Sequence, residues 1–372
     1  MMSNFLRFLL IICLSTCFIA CDDDEPTVSS SPNTPNPPTS SDWLIPVSEV
    51  FDGGPGKDGI PSIDNPQFTN IAGGDQFLTA GDLVVGIAYN GVARAYPHEI
   101  LDWHEIVNDN VGGLSVAVTY CPLTGTASGW NRVLQGGTAA GQETTFGVSG
   151  LLYNTNLIPY DRNTDSNWSQ LLMQSVQGSL QGESIKIEMV VETTWETWKK
   201  LYPQTQVLSR ETGFSRSYGL YPYGDYRTND SRLLFPISKN DNRIPAKERV
   251  HGIAAEDNAS AIVFDFSNFP GPLAVKQRSF NGKELVVVGS SFIDLIVSYY
   301  NELEGGADLI FDPAAEDQFP ILMTDSQGNA WDVFGEAVSG PRTGQRLTPT
   351  RSCMGYFFSF GTFFPGVEIN DE

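Results

Sequence analysis

Histidine, cysteine and positive charge are all scarce in this chain. Its 372 residues include 3 His and 5 Cys, and 22 Lys and Arg stand against 44 Asp and Glu. A formal charge of -22 argues against nucleic acid as a partner, since that binding neutralises phosphates with Lys and Arg. It also argues against peripheral adhesion to anionic lipid and points instead to a well-solvated exterior. After residue 21 no apolar run is long enough to cross a bilayer. There is no phosphate-binding glycine loop and no dinucleotide fingerprint. The "GVSG" around Ser149 lacks the G-x-S-x-G spacing of a hydrolase elbow.

Residues 1–21 have the organisation of a targeting segment: Arg7 is the only charge before an apolar run from Phe8 to Ile19. The run ends in "FIAC", which resembles a bacterial lipobox and implies lipidation of Cys21, hence a lipid bilayer as partner and an extracytoplasmic location, periplasmic or surface-exposed. Residues 22–42, acidic and then rich in Ser, Pro, Thr and Asn, have almost nothing to bury and are expected to be a disordered tether. With Cys13 and Cys17 in the leader, only Cys121 and Cys353 remain for the folded part. Two cysteines are too few for a disulfide framework.

From about Trp43 short apolar runs alternate with Gly, Asn and Asp. "LVVGIAYNGVARAYP" carries Asn90-Gly91 between two β-patterned runs, a hairpin signal. "LSVAVTYC", "ASGWNRVL", "TTFGVS", "LIPYD" and "SIKIEMVV" read as further strands. "SNWSQLLMQ", with Ser166 as its cap, and "TTWETWKKLY", stopped by Pro203, read as helices. The expected class is α+β and strand-dominated. An internal repeat organises it: residues 82–97 are echoed at 248–263, Gly113 onward at Gly282 onward, Trp168 and Gly178 at Trp331 and Gly340, and "WETWKKLYPQTQV" at "FFSFGTFFPGVEI". The pattern predicts two tandem copies of a β-rich unit, at 43–240 and 241–372. The second copy is degenerate, since Ser290 stands opposite Cys121 and no "WHEIVND" run recurs.

"ARAYPHEILDWHEIVNDNVGGLSVAVTYCPLTGTASGWNR", "TFGVSGLLYNTNLIPYDRNTDSNWSQ" and "YPQTQVLSRETGFSRSYGLYPYGDY" together resemble the DUF3179 family, which has no established function, from about Asp58 to the C-terminus. The family run resembles TYCPLCGT. Here Thr124 replaces the second thiol, so dithiol chemistry within the motif is not available to this chain.

The best-equipped stretch is His104, Glu105, Asn108 and Asp109, followed across a glycine turn by Tyr120 and Cys121. One arrangement pairs the Cys121 thiolate with the His104 imidazolium, Asn108 or Asp109 orienting the ring. In another, His104, Glu105 and Cys121 offer N, O and S ligands to a Zn- or Cu-like ion. In the third, His104 belongs to a hydrogen-bond network and Cys121 to a core. Arg94, Tyr96, Asn108, Tyr120 and Arg162 are candidate ligand-binding residues, an Arg fork being suited to a carboxylate or phosphate. Asp161 and Trp168 read as structural, and His98 and His251 as isolated surface or turn residues. Two functions follow. The first is an enzyme or metal-dependent protein centred on His104 and Cys121. The second is a non-catalytic module presenting an Arg- and aromatic-lined cleft to a small molecule, peptide or glycan. Chemistry requires His104 and Cys121 in contact within an accessible cleft; the binding module does not.

Overall fold

Asn90 and Gly91 both take left-handed φ angles, 51° and 76°, and close a hairpin between β1 (Leu83–Tyr89) and β2 (Val92–Pro97). That is the turn their sequence predicts. The computed structural model describes residues 42–303 and 309–370. The predicted leader, Cys21 and all of the tether except Asp42 lie outside the described residues.

After the hairpin come α1 (His98–His104), β3 (Ile106–Val111), β4 (Leu114–Cys121), β5 (Thr126–Asn131), β6 (Phe146–Tyr153) and β7 (Asn156–Asp161). Then follow β8 (Asn167–Ser169), β9 (Gln174–Gln177), β10 (Ile187–Glu188), β11 (Val191–Thr194), α2 (Trp195–Leu201) and β12 (Gln206–Leu208). The second half holds β13 (Arg249–Ala254), β14 (Ser260–Asp265), β15 (Ala274–Phe280), β16 (Lys283–Ser290), β17 (Leu295–Tyr300) and β18 (Phe311–Pro313). It ends with β19 (Ile321–Asp325), β20 (Ala330–Asp332), β21 (Ala337–Ser339), β22 (Thr348–Pro349), β23 (Ser352–Tyr356), α3 (Phe357–Phe363) and β24 (Gly366–Ile369). The fold is α+β and strand-dominated, as expected.

The sheets of the first half run β11-β1-β2-β12, β10-β5-β4-β3 and β6-β7-β8-β9; those of the second run β23-β13-β14-β24, β22-β17-β16-β15 and β18-β19-β20-β21. Strand order is therefore the same in both halves. The parallel pairs also correspond, β12 beside β2 and β24 beside β14. Short strands at Val50–Asp52 and Phe68–Thr69 extend two first-half sheets. α1 has no helical counterpart; a 3-10 turn, Phe266–Asn268, follows β14 instead.

Equivalent contacts hold both halves. Val191 lies opposite Gly86 and Cys353 opposite Gly252. Each of these glycines lies under an aromatic ring: a Cβ on Gly86 would come within 2.3 Å of Trp198, and one on Gly252 within 2.0 Å of Phe360. Trp168 donates its indole proton to Asp161 at 3.1 Å, and Trp331 to Asp325 at 2.9 Å. The halves join crosswise through backbone acceptors. Tyr356 N donates to the Thr124 carbonyl (2.7 Å), and Thr193 Oγ1 to the Ile293 carbonyl (2.9 Å). One core cluster runs through both, combining Trp195 and Trp198 with Tyr299, Trp331 and Phe334.

α2 forms as read, with Thr194 accepting from Thr197 N. "SNWSQLLMQ" does not form a helix. Trp168 pairs with Ser175 in β8–β9, and Gln170 enters a buried network with Thr119, Thr126 and Asn156. Those long-range bonds override a local apolar run. Residues 209–248, crossing from one half to the other, contain a single 3-10 turn, Tyr226–Thr228. This strap covers the first-half motif.

Candidate functional site

α1 grows directly out of β2. Pro97, at φ -65°, is its N-cap, and a 3.6-residue period puts His98 and Asp102 on one face. Glu105 ends the helix in a left-handed conformation, φ 58°, where glycine is usual.

His98 is buried, 7 % exposed, which corrects its reading as an isolated surface residue. Its ring packs on Tyr120 at 4.5 Å between centroids, and Nε2 lies 3.4 Å from Glu192 Oε2. Glu192 Oε1 accepts from Arg249 at 2.7 Å, and Arg249 also reaches Asp294 at 2.9 Å. Asp102 accepts from Arg227 at 2.8 and 2.9 Å, while Arg227 stacks on Tyr221 at 3.7 Å. Burial raises the Asp102 carboxyl above its ordinary value, against the pull of Arg227 and His98. Burial acts on Glu192 too, but His98 and Arg249 outweigh it and hold that carboxyl below the ordinary range. A cleft of about 480 Å³ opens over this cluster, lined by His98, Glu99, Asp102, Arg210, Tyr221 and Arg227 among others. On its walls Arg227 Nε is buried without a hydrogen-bond partner, while His98 Nε2 has Glu192 as its ion-pair partner.

The pair predicted from His104 and Cys121 does not form. His104 is fully buried. Its Nδ1–H donates to the Pro61 carbonyl at 2.7 Å, and Nε2 accepts from the Tyr218 hydroxyl at 2.6 Å. Burial lowers the ring's pKa and favours the neutral form. The Cys121 thiol approaches the Thr155 carbonyl at 3.7 Å. Burial, with Glu105 nearby, pushes its pKa up to about 11, the reverse of an activated thiolate. Among the described residues no three His, Cys, Asp or Glu side chains converge to hold a metal, so His104, Glu105 and Cys121 are not assembled as a ligand set. Cys121 and Cys353 are free buried thiols in different core clusters.

The other expected site residues are mostly structural. Asp109 accepts from Tyr96 Oη at 2.7 Å and does not orient His104. Asn108 clasps Phe146, accepting from its N–H at 2.9 Å and donating to its carbonyl at 2.8 Å. Arg162 has its fork engaged by Asp64 (3.1 Å), Asp58 (3.3 Å) and Ser62 (3.0 Å), oxygens of this chain that take the place of a bound anion. Arg94 lies over the Phe68 ring at 3.9 Å and bonds Gln206. Tyr120 alone of this set touches the cleft cluster, through His98. His251, also misread as a surface residue, is 5 % exposed and bonds Ser298 at 2.7 Å.

The strap explains the burial of the predicted stretch. Tyr218 binds His104, Tyr221 Oη donates to the Pro122 carbonyl at 3.0 Å, and Tyr226 Oη to that of Leu123 at 2.8 Å. Thr124, in place of the second motif thiol, sits in the buried network, 2.9 Å from Thr126 Oγ1 and accepting from Asn156 at 2.9 Å.

Sequence reasoning missed Asp102, Glu192, Arg227 and Arg249. The i, i+4 spacing of His98 and Asp102 beside Pro97 was the available signal; nothing local marked the others. No curated protein and no solved structure matches the chain. A match to the family described as "Protein of unknown function (DUF3179)" covers residues 57–367, all the elements described above except the short strand at Val50–Asp52 and the end of β24, and the chain belongs to that family.

Proposed function

We propose that the protein is a lipid-anchored cell-envelope protein that binds a small polar ligand in the cleft beside α1. The observation carrying this reading is that Arg227 Nε, buried without a hydrogen-bond partner, shares the walls of one cleft with the His98 ring. Buried polar groups are almost always satisfied. A guanidinium nitrogen without a partner, on an Arg stacked on Tyr221, suits a ligand that brings acceptor oxygens: a carboxylate, or the hydroxyls of a glycan. The anchor rests on the lipobox resemblance at Cys21, and the equal strand order of the halves supports their origin by duplication.

The test is calorimetric titration of the purified full-length chain with small carboxylates, neutral monosaccharides and dipeptides, repeated on His98→Gln and Arg227→Gln. One class should bind saturably and weaken at least tenfold in both variants. Equal affinity in the variants, or no saturable binding by any class, would sink the reading. For the anchor, Cys21→Ser should move the protein from the membrane to the soluble fraction.

A catalytic reading is favoured by one feature, the position of His98 between the carboxylates of Asp102 and Glu192, an arrangement suited to general acid–base work. Turnover of a bound ligand that is lost in His98→Gln with affinity unchanged would select it.

A further inference from the structure

A second cavity lies at the other end of α1, away from the cleft. Its walls are apolar, formed by Ile60, Leu123, Val148 and Leu157 with the half-buried rings of Tyr223 and Phe235. Glu105 is its one ionisable carboxyl, and neither Lys nor Arg lines it. The Glu105 residue is 6 % exposed. Its backbone is fully used, N–H to the Leu101 carbonyl at 2.8 Å and carbonyl to Tyr120 N at 2.7 Å, but no described donor reaches its side chain. A carboxyl buried in an apolar chamber without a donor calls for one. The left-handed φ of 58° is a conformation that glycine adopts with least strain. A glutamate held there, with its side chain at the cavity, is not what a helix stop requires.

We propose that this cavity binds a short alkylammonium ion, its charged head on the Glu105 carboxylate and its alkyl part against Ile60, Leu123, Val148 and Leu157. Tyr223 and Phe235 add aromatic faces, whose quadrupoles attract cations. The space, about 50 Å³, is room for only a few non-hydrogen atoms, so the proposed ion has two or three carbons and hexylammonium is too long. The cavity is separate from the cleft, although Asp102 of the cleft wall and the thiol of Cys121 stand near Glu105.

The experiment is calorimetric titration of the full-length chain with propylammonium chloride, with propanol and hexylammonium as comparison probes. Saturable binding of propylammonium is expected, at least tenfold tighter than either probe. It should strengthen as pH rises from 6 to 8, with a proton released on binding, detected by comparing buffers of different ionisation enthalpy. Glu105→Gln should lose at least tenfold in affinity. The pH dependence and proton release are read on the unsubstituted chain, so a misfolded variant would not protect the proposal. Equal binding of propanol, affinity indifferent to pH, or no saturation by propylammonium would each overturn it.

Discussion

His98 and Glu192 meet at 3.4 Å although 94 positions separate them in the chain. The helix that starts at Pro97 brings one, and the strand β11, bonded to β1, brings the other. Arg249, from the second half, completes the group. Removing one member of such a buried set leaves the remaining charge uncompensated. Glu192→Gln should therefore lower the unfolding free energy by about 3–5 kcal/mol. Urea denaturation measures this, and a double-mutant cycle with Arg249→Met should recover part of the loss.

The thiol of Cys121 lies beneath the strap, and its raised pKa adds a chemical barrier to the steric one. It should not react with a disulfide reagent at neutral pH on the timescale of a free thiol. Tyr226→Phe removes the donor to the buried Leu123 carbonyl and should cost about 1–3 kcal/mol. Thiol release kinetics, followed by absorbance, should show Cys121 reacting faster in this variant. An equally slow rate would mean that access to the thiol does not depend on the Tyr226 bond.

Stability should fall with pH on account of Glu105. Burial, with Asp102 nearby, raises its folded pKa to about 8, against an ordinary value of 4.5. Between those values the unfolded chain releases the proton and the folded chain keeps it. The unfolded state then binds fewer protons, so the slope of unfolding free energy against pH is negative. The contribution is fully present below pH 4.5 and lost by about pH 8. It is on the order of 5 kcal/mol. Glu105→Gln should flatten that part of the stability curve, measured by denaturant unfolding at pH 5, 7 and 9.

Gly86→Ala and Gly252→Ala should destabilise to a similar degree, about 2–3 kcal/mol each by overpacking. In both cases the new methyl meets a buried ring, Trp198 or Phe360, not the flexible end of a side chain. Because one core runs through both halves, calorimetry should show a single transition that either substitution shifts as a whole. Two separated transitions would mean that the halves melt independently.

What was legible in the sequence was local or periodic. Asn90-Gly91 specifies its turn through backbone conformation alone. The paired glycines, tryptophans and strand patterns of the halves reveal themselves by recurrence, and the structure places Cys353 opposite Gly252 as Val191 stands opposite Gly86. The site was less legible because its residues meet only after folding. His104, Glu105 and Cys121 are close in sequence and chemically suggestive, yet the structure turns them to different partners: Pro61 and Tyr218, an apolar chamber, and the Thr155 carbonyl. His98 looked isolated because its neighbour Glu192 comes from a distant strand, and Arg227 from a strap with almost no regular structure. The "SNWSQLLMQ" misreading has the same origin, since Gln170 and Trp168 are held by residues outside the window that suggested a helix.

The crosswise bonds from Tyr356 to the Thr124 carbonyl and from Thr193 to the Ile293 carbonyl have one property in common. Both acceptors belong to the main chain. No substitution at position 124 or 293 deletes the oxygen on which the junction rests, so neither position needs to keep its side chain for the halves to stay joined. At these two acceptors the junction is indifferent to the side chain; its sequence dependence lies in the donor hydroxyl of Thr193 and in the Glu192–Arg249 pair.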